Sequence, residues 1–141
     1  WRDPKQTGEL TGALLTAWAK NFLLIQGIII LLLGALLFLT PNFMSTVWPW
    51  KVTPTLAQMY AGPLLSYGLG SFLFSRQNTW LGIRSIVPGM FAFTAATVIV
   101  SVLHINLFSF SEAADIFWFG AFGIATIILG MLTVRIIQAR S

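Results

Sequence analysis

Residues 21–40 read NFLLIQGIIILLLGALLFLT, a run without a charged side chain that ends at Pro41-Asn42. An α-helix rises about 1.5 Å per residue, so a run of this length reaches across the roughly 30 Å hydrocarbon core of a bilayer. Three further apolar runs follow, over 55–75, 80–103 and 114–137. None shows the period-two alternation that a membrane barrel requires. Helices satisfy their own backbone donors and acceptors, which lipid cannot do for them. The runs predict an all-α integral membrane bundle of four transmembrane helices.

Composition points the same way. Hydrophobic residues make up 57% of the chain and charged ones 9%, against roughly a quarter charged in an ordinary globular protein. Four acids and eight bases are too few to cover the wetted surface of a soluble domain. The sequence holds no cysteine, which removes disulfides, thiolate metal sites and thiol nucleophiles. The net charge of +4 does not read as nucleic-acid binding, because the bases lie singly at the ends of apolar runs.

Those bases set an orientation. Arg2, Lys5 and Lys20 precede the first run, Arg76 and Arg84 flank the link between the second and third, and Arg135 and Arg140 close the chain. With four spans, all of these fall on one side, and the other side keeps only Lys51, with Glu112 and Asp115. The positive-inside rule then predicts a multi-pass protein of the bacterial cytoplasmic membrane with both termini cytoplasmic. Ahead of the first run, residues 1–9 read as a polar tail. Leu10, Ala13, Leu14, Ala17 and Trp18 then recur at helical spacing. The stretch 10–20 reads either as a short interfacial helix or as an extension of the first span into the headgroups. The organisation is a tail with a candidate amphipathic helix (1–20), a transmembrane domain (21–137) and a C-terminal tail (138–141).

The most distinctive loop is Trp48-Pro49-Trp50-Lys51-Val52-Thr53-Pro54. Its prolines remove backbone donors and restrict the residues before them, so it is rigid and not helical throughout. Thr53 before Pro54 is a helix start, hydroxyl as cap and proline in the first turn. The two indoles read as headgroup anchors, as do Trp80, Phe117 and Trp118 near span ends. Alternatively, they form an aromatic platform for a partner subunit, lipid or pigment. Phe43, Phe108 and Phe110 add to the outer aromatic set.

This loop, followed by a glycine-rich helix, resembles that of a family of small, uncharacterised bacterial four-span membrane proteins, in which a Trp-Pro-Trp-x-Leu-Thr-Pro segment joins the first two spans. The resemblance covers about residues 22–85. Val52 stands where that family more often has leucine, and Tyr60-Ala61-Gly62 where a Gly-Ala pair is common. The resemblance implies the same architecture and brings no activity with it.

Small residues mark helix contacts. Gly62, Ser66 and Gly70 are spaced by four, with Gly68 nearby, and predict a groove on the second span where a neighbouring backbone approaches. Gly27 and Gly34 on the first span, Gly123 and Gly130 on the fourth, and Ala92, Ala95 and Ala96 on the third extend the pattern. Packing within one bundle is the first reading and docking onto a second protein the alternative. Pro63 and Pro88 lie inside runs and should kink them, with Ser66 and Ser85 as candidate partners for the freed carbonyls. Arg84 sits inside an apolar run about one turn from Trp80, within snorkelling reach of the interface. Gln26 and Asn21 read as similarly shallow, and Thr94 and Thr97 as bonded to their own helix.

Candidate chemistry is sparse. His104, the lone histidine, lies at the outer end of the third run and could ligate haem iron or the magnesium of a bacteriochlorophyll. It reads equally as an interface residue beside Asn106. Glu112 and Asp115 suit a helix N-terminus by charge. No phosphate loop, no His/carboxylate metal cluster and no nucleophile with a base can be found, so no catalytic residue is assigned and no enzyme is expected. Three readings follow. The first is a non-catalytic accessory or scaffolding subunit of a larger membrane complex, photosynthetic or respiratory, using Trp48, Pro49, Trp50, Gly62, Ser66 and Gly70 as its interaction set. The second is a small oligomeric transporter or channel with Thr94, Thr97, Ser66 and Ser71 along a polar path. The third is a pigment- or haem-binding protein using His104.

Overall fold

The computed structural model describes residues 14–138. Among these, backbone pairing outside helices is confined to one isolated bridge between Leu14 and Thr79. Helix α1 (Ala17–Leu39) is followed by α2 (Pro41–Val47), α3 (Pro54–Phe74), α4 (Trp80–Ile83), α5 (Ile86–Leu103), a short 3-10 turn (Ile105–Leu107) and α6 (Ala113–Gln138). Three of them, α1, α5 and α6, are long and apolar enough to cross a membrane. Helix α3 has 21 residues, but Gln58, Ser66, Tyr67 and Ser71 dilute its apolar character and it falls short of the other three in apolarity.

Several boundaries differ from the sequence reading. Helix α1 starts at Ala17, directly after an extended Thr16, so residues 17–20 belong to the first span's helix and not to a separate interfacial one. Leu10 and Ala13 of that stretch, with Arg2, Lys5 and Arg140, lie outside the described residues. Helix α1 ends at Leu39 because the residue before Pro41 is pushed out of helical geometry. Pro41 then opens α2, where a loop was expected: its missing N–H costs nothing at the first helical position. The third run is broken. Arg84 and Ser85 interrupt it between α4 and α5, one turn before Pro88, whose ring would clash with the Arg84 carbonyl in a continuous helix. Pro63, in contrast, stays inside α3. Among the described residues, neither Ser66 nor Ser85 forms a side-chain hydrogen bond, so they do not satisfy the carbonyls freed by the prolines.

Thr53 caps α3 as the sequence predicts, accepting from the Leu56 amide at 3.3 Å, with Pro54 in the first turn. The amide of Gln58 in the same helix donates to the Phe38 carbonyl at 3.1 Å, covering one of the orphan carbonyls at the end of α1. At the other end of the bundle, the Leu15 amide donates to the Asn78 carbonyl at 2.8 Å, and Lys20 Nζ donates to Asn78 Oδ1 at 2.7 Å. The Arg135 guanidinium lies over the Trp18 ring at 5.8 Å. These contacts bring the start of α1, the α3–α4 link and the end of α6 together.

Helices α1 and α3 form the tightest pair, and glycine is the reason. A Cβ on Gly27 would stand 2.6 Å from the Phe72 amide nitrogen, and one on Gly68 would stand 2.7 Å from that of Leu31. Backbone meets backbone at both points, and dispersion and hydrogen bonds, not hydrophobic transfer, hold helices together in lipid. Helices α5 and α6 form the second pair. The pairs share an inner core (Leu23, Ile83, Val87, Leu129, Leu132) and an outer one (Leu37, Trp48, Ala61, Leu64, Phe122).

Candidate functional site

The predicted backbone approach on the second span exists, but on a different face. An added Cβ on Gly62 would meet nothing within 4 Å, and on Gly70 only the tip of Met90 at 3.9 Å. Of the predicted row, Ser66 and Gly70 instead look into a groove of about 490 Å³ between α3 and α5, which Ser85, Gly89 and Met90 complete. Gly68, Gly27 and Gly34 make the close contacts.

The indoles of the Trp-Pro-Trp loop are turned inward, contrary to their reading as headgroup anchors. Trp48 is 9% exposed. Its ring meets Trp50 and Trp118 edge-on at 5.4 Å each, and Trp50 meets Trp118 at 4.9 Å and Phe108 at 5.7 Å. Edge-to-face packing at these distances is the favoured geometry for aromatic quadrupoles. The loop thus clasps the N-terminal part of α6. Trp118 is fixed by its indole N–H, which donates to Ser101 Oγ at 3.0 Å, while Ser101 donates to the Thr97 carbonyl at 2.8 Å. Trp48 Nε1 is buried without a partner. Beside these rings lies a cavity of about 410 Å³ that Tyr60, Phe93, Thr97 and Ser101 help to line.

Asp115 plays a larger part than its helix-dipole reading allows. It is 1% exposed, and its Oδ2 accepts from the amides of Ser109 and Phe110 at 2.9 and 3.0 Å and from Ser109 Oγ at 3.2 Å. That grip holds Phe110 at a φ of 55°, a left-handed conformation that costs an L-residue roughly 1–2 kcal/mol. The carboxylate organises the loop between α5 and α6.

His104 caps the end of α5, exposed, with Nδ1 3.0 Å from the Val100 carbonyl oxygen. A carbonyl only accepts, so Nδ1 is the donor in this contact. His104 lines none of the three cavities. Among the described residues, no three of His, Asp and Glu come together.

The hydroxyls read as a polar path do not share one space within a chain. Thr97 belongs to the cavity beside the Trp118 ring, Ser66 to the groove and Thr94 to a third cavity. Ser71 is fully buried between α1 and α3. Thr94 and Thr97 do bond their own helix, to the Phe91 and Phe93 carbonyls at 3.1 and 2.9 Å.

The third cavity, about 410 Å³ between α1 and α6, holds the feature that sequence reading missed. Gln26 was read as shallow, yet the early start of α1 places it nine residues into the helix, about 13 Å of rise from its beginning. Its Nε2 donates to Ser71 Oγ at 3.1 Å, and Ser71 donates to the Leu23 carbonyl at 2.8 Å. Gln26 Oε1 and the Tyr67 hydroxyl are both buried without a partner. The phenol lies near the Gln26 side chain but outside hydrogen-bond geometry to it. A lone amide in an otherwise apolar run was the available signal, because a polar group at that depth is costly unless paired. Comparison with family models, with curated proteins and with solved structures finds no match.

Proposed function

We propose that this chain is a four-span protein of the bacterial cytoplasmic membrane, both termini cytoplasmic, that serves as a non-catalytic accessory or scaffolding subunit. The fourth span is α3. It carries no charged residue, its 21 residues rise about 31 Å, and its backbone lies against that of α1 at Gly27 and Gly68. A helix held so closely along a membrane span shares its depth. Lys20, Arg76, Arg84 and Arg135 fall at the end of the bundle where α1 begins, which the positive-inside rule assigns to the cytoplasm.

The observation that carries the subunit reading is the open groove between α3 and α5. Its wall holds Ser66, Gly70, Ser85 and Gly89, and a Cβ on Gly89 would meet nothing within 4 Å. Small residues at bilayer depth let a partner helix approach closely, and Ser66 and Ser85 offer it hydroxyls. The occupant is a transmembrane helix of another subunit. The test is native electrophoresis of the chain extracted in mild detergent, beside a Gly89→Leu variant, whose side chain would fill the groove. The native chain should migrate in a larger assembly and the variant as a free protein. A native chain that migrates alone, or a variant that keeps the assembly, refutes the reading.

A further inference from the structure

We propose that the cavity between α1 and α6 binds a hydroxyl-terminated apolar molecule from the bilayer, whose hydroxyl donates to Gln26 Oε1 and accepts from the Tyr67 phenol. The proposal does not rest on the subunit reading. Its walls are hydrocarbon: Ile25, Ile29, Phe117 and Ile124 are exposed on its rim, so it opens sideways between two membrane helices. Its volume lies within the range of small-molecule sites, which combine apolar walls with a few placed polar groups. Here there are two such groups, and they are complementary.

The hydrogen bonds of Ser71 fix which end of the Gln26 amide faces the cavity. Ser71 spends its one proton on the Leu23 carbonyl, so toward Gln26 it can only accept, and it must be met by Nε2. Oε1 is therefore the free end, an acceptor on a side chain 8% exposed. The phenol beside it is a free donor. A carbonyl ligand would satisfy Tyr67 and leave Gln26 unpaired, and an ether would do the same. A hydroxyl both donates and accepts, so one oxygen completes both. Water offers the same oxygen but leaves the apolar remainder to other molecules, whereas an alcohol with a hydrocarbon body fills both parts at once.

The probe is tritiated farnesol, measured on the intact chain in mild detergent, with unlabelled farnesol and farnesyl methyl ether as competitors. Farnesol should bind saturably, and the ether should compete about tenfold less well, the loss expected when one buried acceptor stays unpaired. Tyr67→Phe should weaken farnesol by about three- to tenfold, and Gln26→Leu should abolish the preference for alcohol over ether. Gly120→Leu should remove binding altogether: Gly120 lines the cavity, and a Cβ there meets nothing, so the helix tolerates the change. Absence of saturable binding overturns the proposal. Equal competition by alcohol and ether overturns it too, and would mean that Tyr67 bonds Gln26 directly. Unchanged binding in Gly120→Leu places the ligand elsewhere. The alcohol–ether comparison uses the native chain, so the test survives a variant that fails to fold.

Discussion

Gly27→Ala against Gly62→Ala measures how much of this fold rests on the contact between α1 and α3. At Gly27 the new methyl would stand 2.6 Å from the Phe72 nitrogen, 2.9 Å from its Cα and 3.0 Å from the Gly68 carbonyl oxygen. All three are backbone atoms, so no side chain can rotate away. Ordinary contact begins near 3.5 Å, and the helices must part by about 0.9 Å to restore it. Parting stretches the Gln26–Ser71 and Ser71–Leu23 bonds, now 3.1 and 2.8 Å. Overpacking of this kind costs about 1–3 kcal/mol, and the immobile backbone argues for the upper part of that range. The gain in helix propensity from glycine to alanine returns about 0.5–1 kcal/mol. The net expectation is a loss of about 1–2.5 kcal/mol. At Gly62 only the propensity gain applies, because nothing lies within 4 Å. Tryptophan fluorescence during titration of detergent-solubilised protein with sodium dodecyl sulfate reads both. Coincident unfolding midpoints for the two variants would refute the argument that these helices touch through Gly27.

Asp115→Ala should loosen the loop between α5 and α6, because it strands the amides of Ser109 and Phe110. Hydrogen bonds to a charged acceptor contribute about 1.5–3 kcal/mol, so cleavage within 105–112 under limited proteolysis should rise sharply, and Asp115→Asn, which keeps an acceptor, should sit between. Unchanged proteolysis would show that the loop is held by its aromatic packing alone. The absence of native cysteine makes topology easy to read. Ser111→Cys should react with an impermeant maleimide on intact cells and Gln77→Cys only after lysis, and the reverse pattern would invert the orientation.

The helices themselves were legible because apolar length is a local property. The runs over 55–75 and 114–137 match α3 and α6 to within a residue at each end, since Thr53-Pro54 and Glu112 mark their starts in the chain itself. The break at Arg84-Ser85 was half legible: Pro88 announced a disturbance, but whether the helix bends or stops depends on what it packs against. Pro63 does not interrupt α3, and the difference between the two prolines is tertiary. The inward turn of Trp48 and Trp50 was not legible at all. Indoles suit the headgroup layer and an aromatic cluster equally, and only the arrival of Trp118 and Phe108 from far along the chain decides between them.

The choice between glycine faces exposes a more general point. In water, a helix's apolar stripe marks its buried side, but in lipid both sides are apolar and that marker vanishes. Rows of small residues then compete on spacing alone, and Gly62, Ser66, Gly70 won on the regularity of its fours. Polar residues are the better compass, because an amide or hydroxyl in hydrocarbon must turn toward a partner. Stepping along α1 from Gln26 by threes and fours gives Ala19, Leu23, Ile30, Gly34 and Leu37, and Gly27, four residues on from Leu23, completes the buried stripe. Stepping back from Ser71 along α3 gives Gly68, Leu64, Ala61 and Ala57, again the buried set. Thr94 with Val87, Met90 and Ser101 repeats this on α5. Alternating threes and fours are the seam of left-handed helix packing, and here the seam runs through the polar residues. Had Gln26 been read as the marker of the interface and not as a shallow exception, Gly27 and Gly68 would have followed from it.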